Sequence, residues 1–87
     1  MNKEQFKKWL KDKKELIGRW TVEPNKKTTK AYSMGCFFDP KDEKWKVYSN
    51  EERGQFIVYL ETDDEGSAYE ELQSMVQFEV KNNKGYY

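Results

Sequence analysis

Apolar residues in this chain follow two helical stripes, with a long stretch of period-two alternation between them. Phe6, Trp9, Leu10, Leu16 and Ile17 recur at helical spacing, with Lys13 intervening, and predict a helix over 3–17 whose other face is crowded with lysines. Asn2 is placed to cap its start and Gly18 to end it. The period then becomes two. Residues 19–23 read as a strand, Pro24-Asn25 as a break, and 26–30 as a polar loop with three lysines. Residues 31–38 read as a second strand, with Tyr32, Met34, Cys36 and Phe38 on one face and Ser33, Gly35 and Phe37 on the other. Residues 39–43 form a turn around Pro40, and residues 44–49 and 55–60 are the third and fourth strands. In the fourth, Phe56, Val58 and Leu60 share one face and Ile57 and Tyr59 the other. The hairpin loop between these strands ends in Arg53-Gly54, where Arg53 is expected to be structural and Gly54 to take a positive φ. Thr62 to Glu65 reads as a capping box, with Asp63 and Asp64 in the first turn of a helix that buries Ala68, Leu72, Met75 and Val76. Phe78 to Val80 reads as a short extension of that helix.

The order is therefore α-β-β-β-β-α. Short hairpins predict a four-stranded antiparallel meander in a two-layer α+β domain, with the N- and C-terminal helices on one sheet face. The other face is expected to be open, presenting some of Trp20, Phe37, Tyr48, Ile57 and Tyr59. One domain spans 1–87, with 81–87 read as a mobile polar tail. Its expected core is Trp9, Leu10, Trp20, Phe56, Val58, Leu72 and Met75.

Composition narrows what such a domain does. Charged residues are 37% of the 87 and aromatic residues 16%, the pattern of a small core inside a very polar surface. The net charge is zero, but it is segregated. Residues 1–30 carry ten Lys/Arg against four Asp/Glu, a balance of +6. Residues 31–60 carry four against five, or −1, and residues 61–87 two against seven, or −5. The first residues lack the apolar region of a signal peptide, and no apolar run approaches the ~20 residues that span a bilayer. With Cys36 as the single cysteine, a reducing, cytoplasmic setting is the expectation, with no role at a membrane.

Candidate chemistry is sparse. There is no histidine, so the usual neutral-pH acid–base group is missing. Cys36 sits mid-strand without an activating partner and reads as a small core residue. The acids Glu61, Asp63, Asp64 and Glu65 lie where helix capping alone would put them and lack calcium-loop spacing. The five glycines form no phosphate-binding loop. The residues thus point away from an enzyme and toward neither metal nor cofactor. Tyr48, Phe56 and Tyr59 on a sheet could stack the bases of single-stranded nucleic acid, but the neutral charge balance argues for a lesser weight on that reading.

The stretch Trp45-x-Val47-Tyr48, then Glu52-Arg53-Gly54, a strand, and Asp64-Glu65-x-x-Ala68-x-x-x-Leu72 resembles small immunity proteins of bacterial polymorphic toxin systems of the Gram-positive type, over residues 45–76. The resemblance implies a cytoplasmic protein that neutralises a cognate toxin domain by binding it, with no fixed contact residues. Acids at one end of the domain suit such a role, because carboxylates can fill the basic cleft of a nuclease toxin. The expected binding face joins Glu51 and Glu52 of the hairpin to Asp63, Asp64 and Glu65 of the helix start. An alternative is a phage- or mobile-element-encoded interaction module, including a homodimer through the open sheet face. A further alternative is nucleic-acid binding through Tyr48 and Tyr59.

Overall fold

In a computed structural model, residues 1–18, 20–51 and 55–84 are described. The expectations for Arg53, Gly54 and Glu52 lie outside them. Helix α1 spans Lys3–Lys11 and is followed by a 3-10 turn at Lys14–Leu16. Strands β1 (Thr21–Glu23), β2 (Ser33–Asp39), β3 (Lys44–Asn50) and β4 (Phe56–Thr62) precede helix α2 (Glu65–Lys84). The fold is α+β in the expected order.

Both helices start on side-chain caps. At α1, the Gln5 N–H donates to Asn2 Oδ1 at 2.9 Å and the Asn2 N–H donates back to Gln5 Oε1 at 3.0 Å, a closed capping box. The helix ends earlier than its periodicity predicts, at Asp12, and the 3-10 turn swings Leu16 out to 40% exposure while Ile17 stays buried. Gly18 follows with φ 65°, the expected left-handed stop. At α2 the cap lies on Asp64, two residues beyond the expected Thr62. Asp64 Oδ2 accepts from the Ser67 N–H at 3.0 Å and from the Ser67 hydroxyl at 2.8 Å, while Thr62 Oγ1 accepts from the Asp64 N–H. A carboxylate here meets both the free amides and the positive end of the helix dipole. Residues 81–84, expected in a tail, continue α2; residues 85–87 lie outside the described chain.

The four strands form one sheet in the order β1-β2-β3-β4. The β2–β3 and β3–β4 pairs are antiparallel hairpins, as expected. The β1–β2 pair is parallel, with Thr21 opposite Ser33 and Glu23 opposite Gly35, which corrects the all-antiparallel meander. The segment 24–32 must therefore return along the sheet, and it does so across the face away from the helices. There it covers Tyr48. The Tyr48 hydroxyl donates to the Lys26 carbonyl and accepts from the Thr28 N–H at 3.1 Å. Asn50 Nδ2 donates to the Thr28 carbonyl at 2.7 Å and to Ser33 Oγ at 2.9 Å. Lys27 closes the cover, its ammonium lying 5.3 Å from the Phe56 ring centre and 5.7 Å from that of Phe37. Gly35 makes the close packing beneath possible, since a Cβ there would collide with the Glu23 carbonyl oxygen and lie 2.7 Å from the Tyr48 hydroxyl.

The helix side holds the core. Phe6, Leu10 and Ile17 pack with Met34, Cys36 and Val47 of the sheet and with Ala68, Tyr69, Leu72 and Val76 of α2. Of the expected core residues, Leu10 and Leu72 are buried, and Trp9, Trp20 and Met75 are half-buried against the cluster. Phe56 and Val58 are corrections. A β-bulge opposite Val47 and Tyr48 leaves Tyr59 without a cross-strand partner and pairs Val47 with Leu60. Leu60 thereby joins the helix side. Phe56 instead stacks on Tyr48 on the far face, with ring centres 5.0 Å apart, and Val58 is 38% exposed.

Candidate functional site

Strand β4 forms one edge of the sheet, and α2 crosses the same sheet beside it. The bulge turns Tyr59 toward the helix side, where it faces residues of α2 across an open groove of about 480 Å³. Met34, Met75 and Trp20 line the apolar part, while Tyr59 and Phe78 stand at 52% and 61% exposure. Large aromatic side chains left exposed beside an apolar wall are a common feature of contact surfaces.

The rim is acidic. Glu51 comes from the end of the β3–β4 hairpin and Glu71 and Glu79 from α2, and among the described lining residues there is no cation. Burial pushes the Glu79 carboxyl above its ordinary range. The neighbouring Glu51 charge pushes it further, and the Trp20 ring N–H acts as an opposing hydrogen-bond donor. Ser49 lines the groove at its floor. Its hydroxyl is buried and has no hydrogen-bond partner among the described residues. Among the described residues, the groove thus combines apolar walls, carboxylates without a counter-charge and a hydroxyl without a partner.

The expected binding residues do not form one face. Glu51 is in the groove. Asp63 lies outside α2 and is tied to Lys44 Nζ at 2.8 Å, Asp64 is spent in the cap, and Glu65 opens the helix. Glu65 and Glu79 are separated by fourteen helical residues, about 20 Å along the axis. Tyr48 and Tyr59 also fail to share a surface. Tyr48 is fully buried under the crossover segment, the pKa of its hydroxyl pushed up to about 12 by burial, whereas Tyr59 is exposed on the helix side. Tyr48 and Phe56 stack on each other, and Lys27 lies over Phe56, rather than both rings offering free faces.

Sequence reading missed Glu71, Phe78, Glu79 and Ser49. The signal was present: 71, 75, 78 and 79 follow helical spacing beside the core stripe. The spacing places them on one helix face but does not show that this face borders β4, which comes from the packing of α2 on the sheet.

Two further sets of titratable groups are engaged away from the groove. Lys46 is held between Asp42 at 2.6 Å and Asp39 at 3.0 Å, which raises its ammonium well above the usual lysine range and lowers the Asp39 carboxyl. The Cys36 thiol is raised by burial, with Tyr69 beside it, so it is held as the unreactive thiol. No group of His, Cys, Asp and Glu among the described residues is arranged to hold a metal ion, and no helix among them is long and apolar enough to cross a membrane. Comparison of the chain with protein-family models, with curated proteins and with solved structures finds no match.

Proposed function

We propose that this protein is a non-catalytic binding domain that acts in the cytoplasm, an immunity protein that neutralises a bacterial toxin domain by stoichiometric association. The observation that carries the reading is the acid-rimmed groove beside β4, with Tyr59 and Phe78 exposed and Glu51, Glu71 and Glu79 without described counter-charges. Exposed aromatics surrounded by like charges suit a partner of opposite charge. The aromatics anchor the contact, and the carboxylates steer it and fix its register. A toxin that acts on nucleic acid carries a basic cleft, the complement of this rim. The resemblance of residues 45–76 to immunity proteins points the same way. Nucleic acid fits less well, because the groove is negative and Tyr48 is enclosed.

The test is co-expression with the C-terminal domain of the toxin encoded beside its gene. Growth should be restored and the two proteins should co-purify in equal amounts. Growth arrest with no recoverable complex would refute the immunity reading.

A further inference from the structure

We propose that the groove beside β4 is an arginine-binding site, in which one arginine side chain of a basic partner segment inserts between Trp20, Tyr59 and Phe78 and meets Glu51 and Glu79. This deepens the binding reading above and rests on the same groove.

Three independent features converge on that occupant. The first is charge. Glu51 and Glu79 come from different elements and line the same groove, where no described lining residue is a cation, and the Glu51 charge raises the Glu79 carboxyl further. Partial burial of Glu79 makes that repulsion costly, and an inserted cation relieves it. The second is shape and surface. The walls are Trp20, Met75, Tyr59 and Phe78, which suit an alkyl stem and a planar cation better than a compact, strongly hydrated ammonium. A guanidinium stacks on aromatic faces while its edge donates paired hydrogen bonds to carboxylates. The third is the floor. The buried Ser49 hydroxyl has no described partner, and an N–H-rich head group supplies the donor it lacks. The volume of about 480 Å³ admits a single long side chain with part of its backbone, in the range of small-ligand pockets.

The alternatives fit less of this. A hydrophobic anchor would leave Glu51 and Glu79 facing each other in a drier site, raising the cost of both charges. An anionic ligand would add a third negative group.

The experiment is a nuclear magnetic resonance titration of the labelled full chain with the capped peptide Ac-Gly-Arg-Gly-amide. The same peptide with citrulline, which keeps the shape and loses the charge, is the control, and a third carries lysine. The arginine peptide should shift the Trp20 indole N–H and the Ser49 and Phe78 amides. Citrulline should bind about tenfold more weakly or worse, given what a charged hydrogen bond contributes. Lysine should bind measurably more weakly than arginine. Glu79→Gln and, separately, Glu51→Gln should each weaken the arginine peptide about tenfold. Asp63→Asn, at the other end of α2, should leave binding unchanged. Equal binding of arginine and citrulline would overturn the proposal, as would equal binding of lysine and arginine. So would shifts centred on Asp63 to Glu65 in place of the groove. The outcome is separable from the immunity reading. Toxin neutralisation that survives both glutamine variants would remove the arginine anchor alone. Arginine capture by a protein that fails to protect against the toxin would remove the immunity role alone.

Discussion

Glu79 is held at a cost in the free protein. Its carboxyl is raised by burial and by Glu51, so the folded state binds its proton more tightly than the unfolded chain does. A raised carboxyl stabilises the fold below its unfolded pKa, and that contribution is lost as pH rises through the folded value. Wild type should therefore be less stable than Glu79→Gln at neutral pH, with the gap closing in acid. Urea unfolding of both proteins at pH 7 and pH 4 measures this, and a gap that widens in acid would show that Glu79 is not the strained group. A stabilising change that removes binding is the expected signature of a residue kept for function. Gly35 presents the opposite case, a position fixed by packing. Gly35→Ala places a methyl against the Glu23 carbonyl and the Tyr48 hydroxyl and should cost about 1–3 kcal/mol by overpacking. A denaturation midpoint equal to wild type would mean that β1 and Tyr48 give way freely.

Among the elements, the crossover 24–32 decides what the sheet can do. It joins the two strands of a parallel pair, and it is held on the sheet by Tyr48, by Asn50 and by the Lys26 N–H bond to the Cys36 carbonyl. Tyr48→Phe removes both hydroxyl bonds and leaves the Lys26 carbonyl and the Thr28 N–H short of a partner, at about 1–3 kcal/mol. Hydrogen exchange at Thr28 should accelerate with it, while exchange in α2 should change only as far as global stability falls. Unchanged protection at Thr28 would show that other contacts hold the segment. The parallel pairing was not legible in the sequence for a physical reason. Parallel connections usually run a dozen residues or more and contain a helix, whereas a Pro24-Asn25 break and a five-residue polar loop at 26–30 read as an ordinary hairpin connection. The β4 bulge was equally hidden, since no Gly or Pro marks it, and one unpaired residue moves Leu60 to the other face. The helices were more legible. Asn2 caps α1 as read, and Leu72 lies in the core. Leu72→Ala should cost about 2–5 kcal/mol by leaving a cavity, and a smaller loss would mean that α2 collapses into the space.

On the scale of the whole molecule, the β4 margin is a place where, among the described residues, exposed aromatics meet acids without a counter-charge. The expected site was legible only in part. Of the acids expected to bind, Glu51 lines the groove, whereas Asp63 is in an ion pair and Asp64 in a helix cap. Acids required by a helix start and acids free to bind look alike in one dimension. They are told apart by their partners, which only the fold supplies. Triple reversal of Asp63, Asp64 and Glu65 should therefore loosen the start of α2 and leave partner affinity largely intact. Reversal of Glu51, Glu71 and Glu79 should slow association, most strongly at low salt. The most direct measurement is calorimetric titration of this protein with the neighbouring toxin's C-terminal domain, beside the Glu51→Gln, Glu71→Gln, Glu79→Gln triple variant. Each charge-assisted hydrogen bond removed from an interface weakens binding about tenfold. The predicted result is a one-to-one complex with wild type that is at least about a hundredfold weaker in the triple variant. No heat with wild type, or equal affinity for both proteins, would contradict the account.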